Sequence, residues 1–260
     1  MPDQGSTMNV PIFELCAASL SAIRAAEVWG VDRVELCSEM SIGGITPDPR
    51  LVEAAVHFLS IPLYVMIRPR GGNFAFTTDE FSIMCGQIES AKKAGAHGVV
   101  LGVLLPSGCV DEERSRTLVE LARPMKVTFH RAFDETPDLS EALEAVISTG
   151  ADCLLTSGGS ADALSGAESI ARLVTQASGR IEIMAGGGLH ADNLVEVLRR
   201  TGTTKVHASL TRKHNGSAST KSIEPLDADI RRAVALLREE RVKWVAIGSD
   251  LRPSRHLRRQ

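Results

Sequence analysis

The chain has 260 residues, of which 43% are hydrophobic and 23% charged, enough apolar material for one large core. A formal net charge of −3 gives no reason to expect a nucleic-acid or anionic-membrane partner across the main body. Five cysteines without a paired framework, no secretory leader and no apolar run long enough to span a bilayer point to a reducing cytosol with free thiols.

Residues 1–9 read as a disordered N-terminus, 10–241 as one domain and 242–260 as a basic tail. Within the domain, helical patterns end at Gly30, Gly95, Gly150 and Gly202, each followed after a short turn by an apolar run. A glycine there suits the left-handed position that stops a helix. The runs predict strands at 10–16, 33–37, 63–68, 98–104, 126–131, 153–157, 181–185 and 206–209. Between and after them helical periodicity covers 20–29, 49–59, 79–94, 112–122, 139–149, 166–178, 191–200 and 227–240. Eight alternating units with near-continuous apolar strands predict an α/β fold, a single-domain TIM-type (β/α)8 barrel; an open doubly wound sheet is the second choice. The Gly/Ser-rich stretch 213–222 reads as a mobile loop.

In such barrels chemistry sits at the carboxyl ends of the strands, and here those ends are polar. The tripeptide Glu-Leu-Cys occurs twice, as Glu14-Leu15-Cys16 and Glu35-Leu36-Cys37. Side chains alternate along a strand, so each Glu shares a face with its Cys. On neighbouring parallel strands, roughly 4.8 Å apart, both thiols come within reach of one metal ion. Further along, strand three offers Arg68 and Arg70, strand five His130, Arg131 and Asp134, strand six Thr156, Ser157, Gly158 and Gly159, strand seven Gly186, Gly187 and Gly188, and strand eight His207 and Ser209. Glycines let a backbone approach an anion and leave amides free to donate. Gly158, Gly159, Gly186, Gly187 and Gly188, with Ser157, Ser209 and Arg70, are therefore the candidate anion-binding set. Glu14, Glu35, Arg68, His130 and Asp134 are the candidate catalytic groups. Each has a plainer reading: Glu14, Glu35 and Arg68 as an ion network that fixes register, Cys16 and Cys37 as small core residues, His130 as a hydrogen-bonded structural histidine.

The runs Val34-Glu35-Leu36-Cys37-Ser38, Gly43-Gly44-Ile45-Thr46-Pro47, Val65-Met66-Ile67-Arg68-Pro69-Arg70-Gly71-Gly72, Val127-Thr128-Phe129-His130-Arg131-Ala132-Phe133-Asp134, Leu155-Thr156-Ser157-Gly158-Gly159, Ile183-Met184-Ala185-Gly186-Gly187-Gly188 and Val206-His207-Ala208-Ser209 resemble, in order and spacing, the CutC copper homeostasis family. The resemblance spans roughly residues 10–212. It implies a cytosolic barrel, self-associated as a homo-oligomer, that binds copper as Cu(I) through Cys16 and Cys37. The chain departs from the family pattern in its first strand, Phe13-Glu14-Leu15-Cys16-Ala17-Ala18-Ser19, where the family more often has valine before the cysteine and an acidic residue soon after it, in Ala185, where proline is common, and in the basic end past Arg241.

Soft thiolates select Cu(I), and a reducing compartment keeps both partners in the required state. A two-thiol site has no need of the surrounding Glu, Arg, His and glycine groups, however. That surplus keeps a second class open: an enzyme acting on a small anionic, phosphorylated or sugar-like, substrate. Lys126 and Lys205 fall at strand starts, the wrong end for Schiff-base chemistry.

Overall fold

The computed structural model describes residues 10–210 and 227–250. In chain order the elements are β1 (Ile12–Ala17), α1 (Leu20–Trp29), β2 (Arg33–Leu36), α2 (Pro49–Phe58), β3 (Leu63–Met66), α3 (Thr78–Ala94), β4 (Gly98–Leu101), α4 (Glu112–Ala122), β5 (Lys126–Phe129), α5 (Leu139–Ser148), β6 (Cys153–Thr156), α6 (Ala167–Ala177), β7 (Glu182–Gly186), α7 (Leu194–Thr201), β8 (Lys205–Ala208) and α8 (Asp227–Asp250). All eight strands pair in parallel and in sequence order, and β8 returns to β1, closing the barrel. The open-sheet alternative is thereby excluded.

Local chemistry sets the boundaries. Gly30, Gly95 and Gly202 cap their helices in the left-handed conformation, and Thr77 and Glu80 form a reciprocal capping box at the start of α3. Many boundaries differ from expectation by one or two residues, among them the start of β1 and the end of β3, and four differences have a visible cause. After Leu101 the chain leaves the sheet, because the Leu104 amide donates to Phe74 instead of to a neighbouring strand. Beyond Phe129 the residues Arg131–Glu135 tighten into a 3-10 turn. A turn in which the Asn193 side chain accepts from the His190 amide delays α7 to Leu194. Finally α8 runs unbroken to Asp250, so the segment placed in a basic tail from residue 242 is helical for its first nine residues. The expected mobile segments, 1–9 and 213–222, lie outside the described residues, as does 251–260.

The main core is the annular layer between strands and helices, where Phe13, Leu15, Leu36, Ile67, Leu101, Phe129 and Phe133 are almost fully buried. Alternation sends the intervening residues inward. Among the described residues the inward side chains form two small apolar clusters, Cys16, Cys37, Tyr64, Met66 and Val100 on one side and Cys153, Leu155 and Met184 on the other. Barrel interiors are usually filled by layers of branched aliphatics. Here Arg33, Glu14, His207 and Glu35 stand inside instead.

The β1–β2 register decides how the two tripeptides meet. Glu14 lies opposite Arg33, and Cys16 lies opposite Glu35. The copies are thus staggered by two residues and not matched Cys to Cys.

Candidate metal and ligand site

At the deepest level Arg33 donates to Glu14 (Nε–Oε2 2.5 Å), to the Met184 sulfur (3.4 Å), and stacks over Tyr64 with its guanidinium carbon 4.1 Å from the ring centre. The other Glu14 oxygen meets His207 Nδ1 at 2.7 Å. Glu14 has no exposed surface. Burial alone would raise its pKa, but Arg33 and His207 together outweigh burial and hold it below the ordinary value. For His207 burial opposes the cation, and the carboxyl groups of Glu35 and Glu14 outweigh it and raise the pKa.

One level up, Cys16 Sγ donates to Glu35 Oε1 at 3.3 Å and lies 3.5 Å from Cys37 Sγ. Both thiols are buried and neither is in a disulfide. The contact with Cys37 and then burial push the Cys16 thiol well above its ordinary range, so it stays protonated at neutral pH. Burial raises the Glu35 carboxyl as well. Its second oxygen is buried without a hydrogen-bond partner among the described residues. Gly44, at φ 84°, covers this level: a Cβ there would stand 3.4 Å from Cys37 Sγ and 3.6 Å from the Met66 methyl. A side chain at 44 would lie against Cys37 and would be strained at this backbone angle.

Above the thiols opens a cavity of about 1200 Å³, lined among others by Cys16, Glu35, Cys37, Arg68, His130 and His207. Seven strands or their following loops contribute, as the polar strand ends suggest. Gly187, Gly188 and Ser209 also line it. Gly186 lies within β7, where a Cβ would strike Leu155 at 2.5 Å, so its role there is room for neighbours.

Five expected site residues, Arg70, Asp134, Ser157, Gly158 and Gly159, take other places. Arg70 turns to Glu80 (2.6 Å) and to the carbonyls of Gly71, Asn73 and Ala75, holding the loop after β3 and standing outside the cavity lining. Asp134 is engaged with the loop after β6: its carboxylate accepts from Thr156 Oγ1 (2.5 Å), the Ser157 amide (3.0 Å) and hydroxyl (2.9 Å), the Gly159 amide (3.1 Å) and Arg131 (2.8 Å). The Gly158 amide donates to Thr156 Oγ1. The cradle expected of Ser157, Gly158 and Gly159 therefore exists, and the protein's own carboxylate fills it. Asp134→Asn should lower stability by roughly 2 kcal/mol, the scale of hydrogen bonds to a charged group, measurable as a shift in the urea midpoint.

Sequence reasoning missed Arg33 as a site residue. The signal was available, because Arg33 precedes Glu35 by two positions and must share its face. Met66 and Phe74 were also missed; Phe74 comes from the loop after β3 and carries no periodic signal. Lys126 and Lys205 sit at the opposite end of the barrel, paired with Asp152 and Glu182. No lysine lines the cavity among the described residues. No helix there is long and apolar enough to cross a membrane.

Comparison with known proteins agrees with this architecture. The CutC family model matches residues 11–212. A family protein CutC from Xylella fastidiosa (strain Temecula1) is 46% identical over 196 residues, 75% of this chain and 73% of the relative. One from Pasteurella multocida (strain Pm70) is 44% identical over 196 residues, 75% of this chain and 80% of the relative. A solved structure of CutC from Streptococcus agalactiae, named there for copper homeostasis, superposes with a TM-score of 0.73 at 32% identity, covering 77% of this chain and 99% of that one. With its closed barrel and family match over most of its length, the chain belongs to the CutC family.

Proposed function

We propose that this protein binds Cu(I) through Cys16 and Cys37 at the carboxyl-end mouth of the barrel, as a cytosolic copper homeostasis protein that self-associates. One observation carries the reading: two free thiols 3.5 Å apart, Cys16 on β1 and Cys37 just past the end of the adjacent β2, at the floor of an open cavity. Metal–thiolate bonds are about 2.3 Å, and the sulfur separation is under twice that, so one ion can touch both. Met66 and Met40, packed with the pair, add thioether sulfur to a soft environment. Glu35, in contact with Cys16, is placed to receive the proton that the thiol must lose.

The test is a competition titration of Cu(I) against a chelator of known affinity. Each of Cys16→Ser and Cys37→Ser should weaken binding at least about tenfold, since a hydroxyl is a poor ligand for a soft ion. Wild-type affinity in both variants would remove the reading. Sedimentation of the same samples reports the assembly state, and a monomer at all concentrations would remove the self-association.

A further inference from the structure

Two carboxylates stand inside the barrel, and only Glu14 has cations in contact with it. Arg33 and His207 both close on Glu14. Glu35 is 2% exposed and makes no ion pair among the described residues, where the Arg33 and His207 charges act on it from a distance. Its one hydrogen bond there comes from the Cys16 thiol, 3.3 Å from Oε1, and Oε2 has none. Buried carboxylates are ordinarily paired or fully hydrogen-bonded. Glu35 is set against sulfur instead, in the lining of the cavity.

The Cys16 and Cys37 sulfurs and a Glu35 oxygen all lie within 4.8 Å of one another, and all three residues line the cavity. Sulfurs 3.5 Å apart, joined to one ion by bonds of about 2.3 Å, meet there at about 100°. An oxygen 3.3 Å from Cys16 Sγ, on a metal–oxygen bond of about 2.1 Å, makes an angle of about the same size. Both angles are close to tetrahedral. An ion held in a straight line between two thiolates would instead need the sulfurs to part to about 4.6 Å. Two soft donors with one hard oxygen suit an ion of borderline character. Zn(II) accepts thiolate and carboxylate together in tetrahedral sites, and with three protein ligands it keeps its fourth position open. Glu14, already paired and outside the cavity lining, does not compete for the role.

We propose that Glu35 is a metal ligand, completing with Cys16 and Cys37 a three-residue site for Zn(II) whose fourth position is filled from the cavity by solvent or a small molecule. It rests on the reading of the two thiols as metal ligands and extends that reading to a second ion. Binding releases the thiol protons to solvent and sets the ion among the three side chains. A dipositive ion there also gives Glu35 the cation in contact that Glu14 already has.

The experiment is a titration of Zn(II) into the reduced full chain in competition with a chromophoric chelator, run beside the Cu(I) titration. One ion per chain is expected, with affinity lowered about tenfold or more in Glu35→Gln, which keeps the shape and loses the charge, and at least as far in Cys16→Ser. Cu(I) affinity in Glu35→Gln should stay within about threefold of wild type, because a soft ion gains little from a carboxylate. X-ray absorption of the zinc-loaded wild type needs no variant, and should show two sulfurs at about 2.3 Å and two lighter atoms at about 2.0 Å. No Zn(II) binding, wild-type Zn(II) affinity in a Glu35→Gln variant that circular dichroism shows to be folded, an equal loss of Cu(I) affinity in that variant, or a zinc shell of sulfur alone would each overturn the proposal. The two readings fail differently. Zn(II) indifferent to Glu35→Gln, with Cu(I) lost in the cysteine variants, removes the third ligand alone; Zn(II) bound as expected, with Cu(I) indifferent to the cysteines, removes copper alone.

Discussion

Arg33→Met should destabilise the barrel by roughly 3–5 kcal/mol, the cost of leaving one member of a buried ion pair without its partner. Glu14 is fully buried, and its carboxylate is held at 2.5 Å by Arg33 on one side and at 2.7 Å by His207 on the other. Methionine preserves most of the volume and none of the charge. The double variant Arg33→Met, Glu14→Leu should recover a large part of the loss, because removing both charges also removes their desolvation cost. Urea denaturation of the two variants measures this, and a single variant within 1 kcal/mol of wild type would contradict it. The pH dependence has a definite sign. Glu14 has a folded pKa below its ordinary value of 4.5. Its contribution is therefore complete above about pH 4.5 and is lost as pH falls through the lower folded value.

Cu(I) affinity should rise with pH by about tenfold per unit for each thiol proton displaced, or about hundredfold between pH 6 and pH 8 from Cys16 alone. The Cys16 thiol is raised well above 9.0, first by its contact with Cys37 and then by burial. It is protonated across that interval, so metal and proton compete for one sulfur. Lower pH favours the proton. Competition titrations at several pH values check the slope, and in Cys16→Ser the slope should lose the part that this thiol supplies. A flat profile would mean that the ion does not bind Cys16 thiolate.

Much of the fold was readable because its signals are local. The stops at Gly30, Gly95 and Gly202 fall where helices must reverse, and the apolar runs between them match the strands within a few residues. The strand ends were less legible, since the departures after Leu101 and Phe129 depend on hydrogen bonds to loops distant in sequence. The thiol pair followed from side-chain alternation, which gives the face but not the register. Loop chemistry was harder. Gly158 and Gly159 have the composition of an anion cradle, and only folding reveals that Asp134, about two dozen residues earlier, supplies the anion. Whether Glu35 has a cation in contact is likewise a question about neighbours, and no motif answers it.

The offset of the two Glu-Leu-Cys copies on β1 and β2 has a chemical consequence. Had they met in step, Glu14 would face Glu35 across the strand gap and Cys16 would face Cys37, a row of repelling anions beneath a row of sulfur. Sliding one copy by a single inward rung interposes Arg33 and shuffles the rest into a gradient: guanidinium, ionised acid, acid with a raised pKa, thiol. A duplicated word in the sequence is thus read out as a graded sentence, with charge toward the amino end of the barrel and polarisable sulfur toward the carboxyl end.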